Sequence, residues 1–379
     1  MGNYILIIHN YLWSHYKGIV FSRLNKITLD NNKCLKVIHL SNSEQKRAGM
    51  GHPDFKIHQY AYEVLFPSKS LNNVGFFEKF VKLFFRIFRN KPRIINIPGY
   101  NDLAIIIIMI IARIIRIKII MSVDSTKYDS KRIWYKELPK HLLLKVPNAF
   151  LCYGQMQKEY LESLGVKSNK IFFRCQATDN IRIINEYNNH SCDKKENDLN
   201  EKKSLLFVGR IDDKEKNIFR MVDAFNAIEN KNNWKLNIVG FGKDVLILKN
   251  KITDCADIDY FEGGDWLEIV KWYSSSDALI LPSLSEPWGL VVNEAMLCHL
   301  PVLVSKNCGC SLDLVRDSLN GYLFDPLNTL DIQNAIINII SKSDDDRKKM
   351  GESSYKIVEA YTSERSAKEM FDVFNKFLN

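Results

Sequence analysis

Residues Leu279 to Pro301 read LILPSLSEPWGLVVNEAMLCHLP. The stretch opens as a short apolar strand over Ala278 to Leu281, turns through Pro282 to Gly289, and continues as an apolar helical pattern from about Leu290 to Cys298. Strand, loop and helix N-terminus in succession is the arrangement that binds phosphate in open α/β sheets, because free amides and the helix dipole point at the anion. Gly289 lets backbone and ligand approach closely, having no Cβ. Glu286 falls in the turn and Glu294 in the helix. A loop Glu is ordinarily solvated, and a helical Glu ordinarily lies on the wet face. For Glu294 the neighbours Val291, Val292, Ala295, Met296 and Leu297 leave little polar face, so it is expected to be partly buried or to line a cleft, and a buried carboxylate needs a partner.

The same alternation of short apolar runs and longer helical patterns extends along the chain and implies βα units with parallel sheets. In the second half, Ser204 to Val208 reads as a strand, closed by Gly209 and Arg210, with Lys216 just before a helix. Two cations at the carboxyl edge of a parallel strand can grip a diphosphate, although such loop cations are commonly solvated. Lys214 is the alternative to Lys216 as the second of them. Another strand, Ile258 to Phe261, closes at Glu262 and Gly263. In the first half, Tyr4 to His9 is a strand followed by a loop from Asn10 to Gly18, and Lys118 to Val123 is a strand that ends at Asp124. Ligands bind outside strand carboxyl ends in such sheets, which places His9, Gly18 and Asp124 near a site. Asn185 to Lys203 is rich in Asn and charge and reads as a linker. The resulting division is a first domain over 1–184, a linker over 185–203, a second domain over 204–365, and a last helix over 366–379 that can cross back to the first.

The central stretch resembles the E-x7-E signature of family 4 glycosyltransferases, retaining enzymes of the GT-B fold. The resemblance includes the preceding Pro282-Ser283, the Glu294-Ala295 pair, and a continuation through Pro301 to Val304 and Asn320 to Phe324. Arg210 and Lys216 are similar to the family's GR…K motif, with a spacing one residue longer than the commonest form. The first half is similar to the family's acceptor domain more weakly, through Asp124-Ser125-Thr126, Tyr153-Gly154 and Leu164-Gly165. It departs from the pattern in lacking a Gly-Gly loop after the first strand and a His-Asp pair after a later one. The resemblance implies an α/β chain of two Rossmann-like, doubly wound domains facing a cleft. It implies a sugar moved with retention from a nucleotide-diphosphate donor to a hydroxyl. On that footing Arg210 and Lys216, with the amides near Gly289 and Leu290, neutralise the departing diphosphate. Glu286 then holds hydroxyls of the donor sugar, Glu294 holds the ribose, and Glu262 and Gly263 border the base. No cofactor and no metal are expected. The acceptor is expected to be a carbohydrate or a lipid-linked glycan, in surface polysaccharide, lipopolysaccharide or glycolipid synthesis. Two rivals are a sugar-nucleotide epimerase or hydrolase on the same fold, and a non-catalytic carbohydrate- or nucleic-acid-binding protein. The second would leave the two acids and two cations as coincidence, and no nucleic acid is expected.

At 379 residues, 46% hydrophobic and 26% charged, the composition is that of a globular protein with room for two cores. Its net +9 is unevenly spread. Residues 1–180 carry 28 Lys and Arg against 12 Asp and Glu, net +16, and the remainder carries 25 against 32, net −7. A basic half implies an anionic partner, for which nucleic acid, an anionic membrane surface or a phosphorylated acceptor would each fit, or else a merely basic, solvated surface. Within it, Val74 to Asn90 places Phe76, Phe77, Phe80, Val81, Phe84, Ile87 and Phe88 at helical spacing among Lys79, Lys82, Arg86 and Arg89. Such a helix fits a membrane interface, and equally a surface helix packed on a sheet. The eight cysteines form no C-x-x-C pair and read as reduced thiols. With no secretory signal in its first residues, the chain is expected in the cytoplasm, with peripheral attachment to the membrane.

Overall fold

The computed structural model describes residues 4–42, 54–129, 134–191, 202–264 and 266–378. Two compact units emerge, one of Met1–Lys127, Lys131–Gln176 and Tyr361–Asn379, the other of Tyr128–Ser130 and Ala177–Ala360. The first contains strands β1 (Tyr4–Tyr11), β2 (Cys34–Ser41), β3 (Ala61–Phe66), β4 (Ile94–Ile97), β5 (Lys118–Val123), β6 (Ala149–Cys152) and β7 (Ile171–Phe173). They form one parallel seven-stranded sheet in the order β3-β2-β1-β4-β5-β6-β7. The second contains β8 (Lys203–Val208), β9 (Trp234–Gly240), β10 (Ile258–Glu262), β11 (Ala278–Leu281), β12 (Val302–Ser305) and β13 (Gly321–Phe324). These form a parallel six-stranded sheet in the order β10-β9-β8-β11-β12-β13.

The unbroken apolar run of β1 follows from its place. Leu6 and Ile8 join Ile95, Ile97 and Met121 in a core shared with the helices Phe76–Asn90 and Leu103–Ile114. Ile5 and Ile7 face the other way, into a core shared with the helices His15–Asp30 and Ser363–Leu378. A strand covered on both faces needs an apolar side chain at every position.

Two boundaries differ from the sequence reading. Residues 177–184 belong to the second unit, and the helix Asn180–Ser191 occupies the first part of the expected linker. Ile183 is fully buried there, and the helix packs on the helices Trp266–Ser275 and Leu290–Leu297. The apolar residues upstream of the polar run anchor a helix that then carries its Asn and charge into water. Residues 192–201 of the expected linker lie outside the described residues. At the other end, the chain joins the first unit from Tyr361 onward, earlier than position 366. Ala367, Met370, Phe371, Phe374 and Leu378 all enter the first unit's core.

The helix Phe76–Asn90 splits its aromatic residues between two surroundings. Leu83 and Ile87 are buried, with Phe80, Phe84 and Phe88 packed against the core, whereas Phe77, Val81 and Phe85 are exposed. Lys79, counted above among the basic residues, is buried and ion-paired with Asp102.

The first unit also buries two imidazoles, His39 and His58, both hydrogen-bonded to the Tyr60 hydroxyl, at 3.1 and 2.5 Å. Burial above all lowers the pKa of His39 to about 3 and that of His58 to about 4, with a neighbouring imidazole second in each case. A depressed histidine pKa means that the fold prefers the neutral ring. The contribution is whole above the ordinary pKa of 6.5 and is lost as the pH falls from there toward 4. Urea melts across that interval should show stability falling by several kcal/mol, at up to ~1.4 kcal/mol per pH unit for each ring. His39→Gln should flatten the decline.

Candidate active site

Strand order reverses once in each sheet, between β1 and β4 in the first and between β8 and β11 in the second. At such a point the connections leave toward opposite faces and open a crevice at the carboxyl edge. In the second unit the loops concerned follow β8 and β11, and they carry Arg210, Lys216 and Glu286.

Lys216 ends the short helix Asp213–Lys216, and its ammonium is ion-paired with Glu286, the two side chains being 12% and 16% exposed. Lys214 is exposed. The extra residue between Arg210 and Lys216 is thus taken up in a helical turn, and Lys216 is the cation that meets the first acid. Arg210 pairs with Glu215 of its own loop.

The loop after β11 is stitched through its backbone to the loop after β8 and to the loop after β12. The Leu284 amide donates to the Glu215 carbonyl at 2.9 Å, and the Gly309 amide to the Glu286 carbonyl at 2.9 Å. Asn217, next to Lys216, has a left-handed backbone (φ 56°). Its side-chain amide reaches the carbonyls of Pro282 at 3.3 Å and Pro326 at 2.7 Å. Asn tolerates that conformation better than other side chains do, and this is the signal by which sequence reasoning could have found it. Behind the loop, burial first and the charge of Glu286 second push the Cys308 thiol up, so it stays protonated. Seven cysteines of the described residues are free thiols, in line with the sequence reading.

Gly289 begins the helix Leu290–Leu297 with φ 101°, and a Cβ there would lie 2.9 Å from Leu281 Cδ2 and 3.4 Å from Glu286 Cγ. The first amides of that helix lack intrahelical acceptors. Glu294 is 8% exposed, as its apolar neighbours required, and the Tyr273 hydroxyl donates to it at 2.8 Å. Burial, then the Glu294 charge, raises the Tyr273 pKa well above the ordinary phenol value, so the phenol keeps the proton that it donates. Tyr273 was not singled out in the sequence, since no local pattern ties it to a residue in another helix.

Glu262 and Gly263 close β10, which β9 separates from β8. Glu262 is exposed. Gly263 has a packing reason: its amide donates to the Gly240 carbonyl at 3.1 Å, and a Cβ would stand 3.1 Å from Gly240 Cα.

In the first unit a cavity of about 160 Å³ lies at the carboxyl ends of β1, β4 and β5, and both His9 and Asp124 line it. His9 donates from Nδ1 to the Tyr11 carbonyl at 3.0 Å, which leaves Nε2 as the acceptor of the neutral ring. Gly18 corrects the sequence reading. The helix starts at His15 rather than after Gly18, so this glycine is helical and does not line the cavity. A Cβ on it would stand 2.7 Å from the His58 ring, which makes it a packing position. Two lining residues were missed, Lys17 and Arg174. The only sequence signal was a charge directly beyond an apolar strand, at Phe173-Arg174.

Residues 191–357 match the family model described as glycosyl transferases group 1. Among curated proteins, an uncharacterized glycosyltransferase of Methanocaldococcus jannaschii is 29% identical over 183 residues, which is 46% of this chain and 45% of that one. An uncharacterized 41.2 kDa protein in the cps region of Klebsiella pneumoniae is 25% identical over 205 residues, 53% of each chain. The chain spans about half the length of the curated relatives it matches. In three dimensions, HepE of Anabaena, solved in complex with UDP and glucose, superposes with a TM-score of 0.73 at 15% identity, covering 99% of this chain and 100% of that one. That likeness shows the fold, which is GT-B.

Proposed function

We propose, from the membership of residues 191–357 in the group 1 glycosyl transferases and the GT-B fold of the whole chain, that this protein moves a sugar from a nucleotide-diphosphate donor to a hydroxyl acceptor with retention. The observation that carries the proposal is the Lys216–Glu286 ion pair at the strand-order reversal of the second sheet. The difficult charge in such a transfer develops on the departing diphosphate and at the anomeric carbon. Lys216 and Arg210 neutralise the first, joined by the amides that open the helix at Leu290. Both cations already hold carboxylates, so an arriving diphosphate exchanges partners with Glu286 and Glu215. Glu286, once released, holds hydroxyls of the donor sugar, and Glu294, fixed by Tyr273, accepts from the ribose. The reaction as proposed uses no resident metal or cofactor. UDP in the complex of the Anabaena neighbour favours a uridine donor. The cps setting of the Klebsiella relative favours a surface polysaccharide product. His9 and Asp124 are proposed to contact the acceptor.

A panel of nucleotides and nucleotide sugars tests the donor site by thermal shift. A ligand at ~100 times its dissociation constant adds about 2.7 kcal/mol of stability. UDP or its sugars should raise the melting temperature of the native chain and not that of Arg210→Ala/Lys216→Ala. Indifference to every nucleotide would turn the reading toward a binding protein.

Among the described residues no helix is long and apolar enough to cross a membrane. Attachment to an anionic membrane surface is proposed from the helix Phe76–Asn90, where exposed Phe77, Val81 and Phe85 stand among exposed Lys82, Arg86 and Arg89. Apolar insertion with cationic attraction is how interfacial helices bind, and the attraction is screened by salt. The chain should sediment with phosphatidylglycerol vesicles at low salt. Phe77→Ser/Val81→Ser/Phe85→Ser should stay in the supernatant, and equal sedimentation of the two would remove the idea.

A further inference from the structure

The cavity of the first unit is lined by two cations, Lys17 and Arg174, for which no ion pair is formed among the described residues. Lys17 is 6% exposed and Arg174 is 2% exposed, and both line the cavity. The Lys17 ammonium donates to the Tyr153 hydroxyl at 2.5 Å and lies 4.6 Å from that ring's centroid. The Arg174 guanidinium lies 5.0 Å from the same ring and donates one N–H to the Met370 thioether, a weak acceptor, at 3.0 Å. The acid whose charge Arg174 feels, Glu369, is held by the Arg365 guanidinium at 2.8 Å and by the Cys175 amide at 2.7 Å. Among the lining residues the one carboxylate is Asp124, whose pKa is raised by desolvation and whose charge is felt at Tyr153, so two cations stand against one acid in the cavity.

Two cations taken out of water without an ion pair are costly. Burial pulls the Arg174 pKa down to about 10, which still leaves it charged at neutral pH. The helix His15–Asp30 adds to the imbalance. Its N-terminal residues Ser14, Tyr16 and Lys17 line the cavity, and its first turn contains no acid. An arrangement of this kind is completed by an anion from outside. A volume of about 160 Å³ holds several waters at ~30 Å³ each, enough for one oxyanion and the atoms that bear it.

We propose that this cavity is an oxyanion subsite, in which Lys17 and Arg174 hold a phosphate or carboxylate group of the acceptor. That the occupant is the acceptor rests on the transferase reading, whereas the anion site rests on the two cations alone. The neutral parts of the acceptor then face the rim, where Asp124 stands. Tyr153, between the two cations, is a positioning residue.

Calorimetry on the full chain saturated with UDP tests this, with inorganic phosphate, glucose 6-phosphate, glucuronate and glucose as probes. At least one charged sugar should bind at least tenfold more tightly than glucose, and the stronger of the two names phosphate or carboxylate as the natural group. Lys17→Met and Arg174→Gln should each weaken that binding about ten- to a hundredfold, the worth of a charge-assisted hydrogen bond, with UDP affinity unchanged. Equal binding of glucose and the charged sugars would overturn the proposal, as would charged-sugar affinity unmoved by either variant. If the variants fail to fold, hydrogen exchange on the native chain decides. Phosphate-dependent protection in peptides covering 9–18 and 171–176 supports the site, and protection absent there, or confined to 209–217 and 284–290, overturns it. If UDP does not bind, the same titrations on Arg210→Ala/Lys216→Ala still test the anion site, so the two readings fail separately.

Discussion

Glu286→Gln should lower the rate of sugar transfer about a hundred- to a thousandfold while leaving UDP affinity within a few-fold of the native value. The amide keeps the shape of the side chain and loses its charge, at a position held by the Gly309 amide on its own carbonyl and by Lys216 on its carboxylate. Loss of one preorganised electrostatic contact with the transition state has an effect of that size. If Glu286 stabilises charge at the anomeric carbon, the loss falls on kcat, since UDP gains no contact from the acid that it displaces from Lys216. Lys216→Met should behave differently. It removes the cation from the diphosphate, so UDP binding itself weakens, and it leaves a mostly buried carboxylate unpaired, which lowers stability as well. Initial rates of UDP release with a responsive donor, read beside UDP titrations, separate the two patterns. A Glu286→Gln chain within threefold of native activity would remove this acid from the reaction.

The second large effect is on folding. Gly240→Ala is expected to abolish cooperative folding of the second unit. Gly240 ends β9, and a Cβ there would stand 1.8 Å from the Gly209 carbonyl oxygen, with the Gly209 carbon at 3.0 Å. Both atoms are backbone of the neighbouring strand's end, so no rotamer change relieves the contact. Strand β8 would have to move away from β9, with Arg210 and the Lys216 turn attached to it. Costs beyond 4–5 kcal/mol are rare for single substitutions and arise from clashes of this kind. Gly75→Ala is the control, because nothing lies within 4 Å of its added Cβ. Far-ultraviolet circular dichroism through a urea titration should show a native transition for Gly75→Ala and a diminished or early one for Gly240→Ala.

The sequence was most informative where an element's chemistry is local. Strands of β1 type announce themselves through unbroken apolar runs, and the Glu286–Glu294 stretch carries strand, turn and helix within one window. Lys216, preferred to Lys214 in the sequence, is the lysine that one turn of helix brings to Glu286. What the sequence hid depends on residues far apart in the chain. Lys17 meets Tyr153 across 136 positions, and Tyr273 reaches Glu294 from a separate helix. Gly18 was misplaced because a helix start four residues earlier, at His15 rather than Ile19, turns a loop glycine into a packed one. The helical start of the expected linker was hidden by the polar residues that follow it, since its packing rests on Ile183 and on Tyr187 against His299, far apart in the chain.

The return of Ser363–Leu378 to the first unit has a consequence for synthesis. Until that helix emerges, the sheet face carrying Ile5, Ile7, Ile94 and Ile120 lacks half its cover. The second unit, of Tyr128–Ser130 and Ala177–Ala360, is complete by then. On the ribosome the second unit can therefore finish folding before the first, reversing the usual N-terminal-first order. A nascent chain released short of residue 363 would carry a finished second unit and an open apolar sheet, a species prone to aggregation and dependent on chaperones.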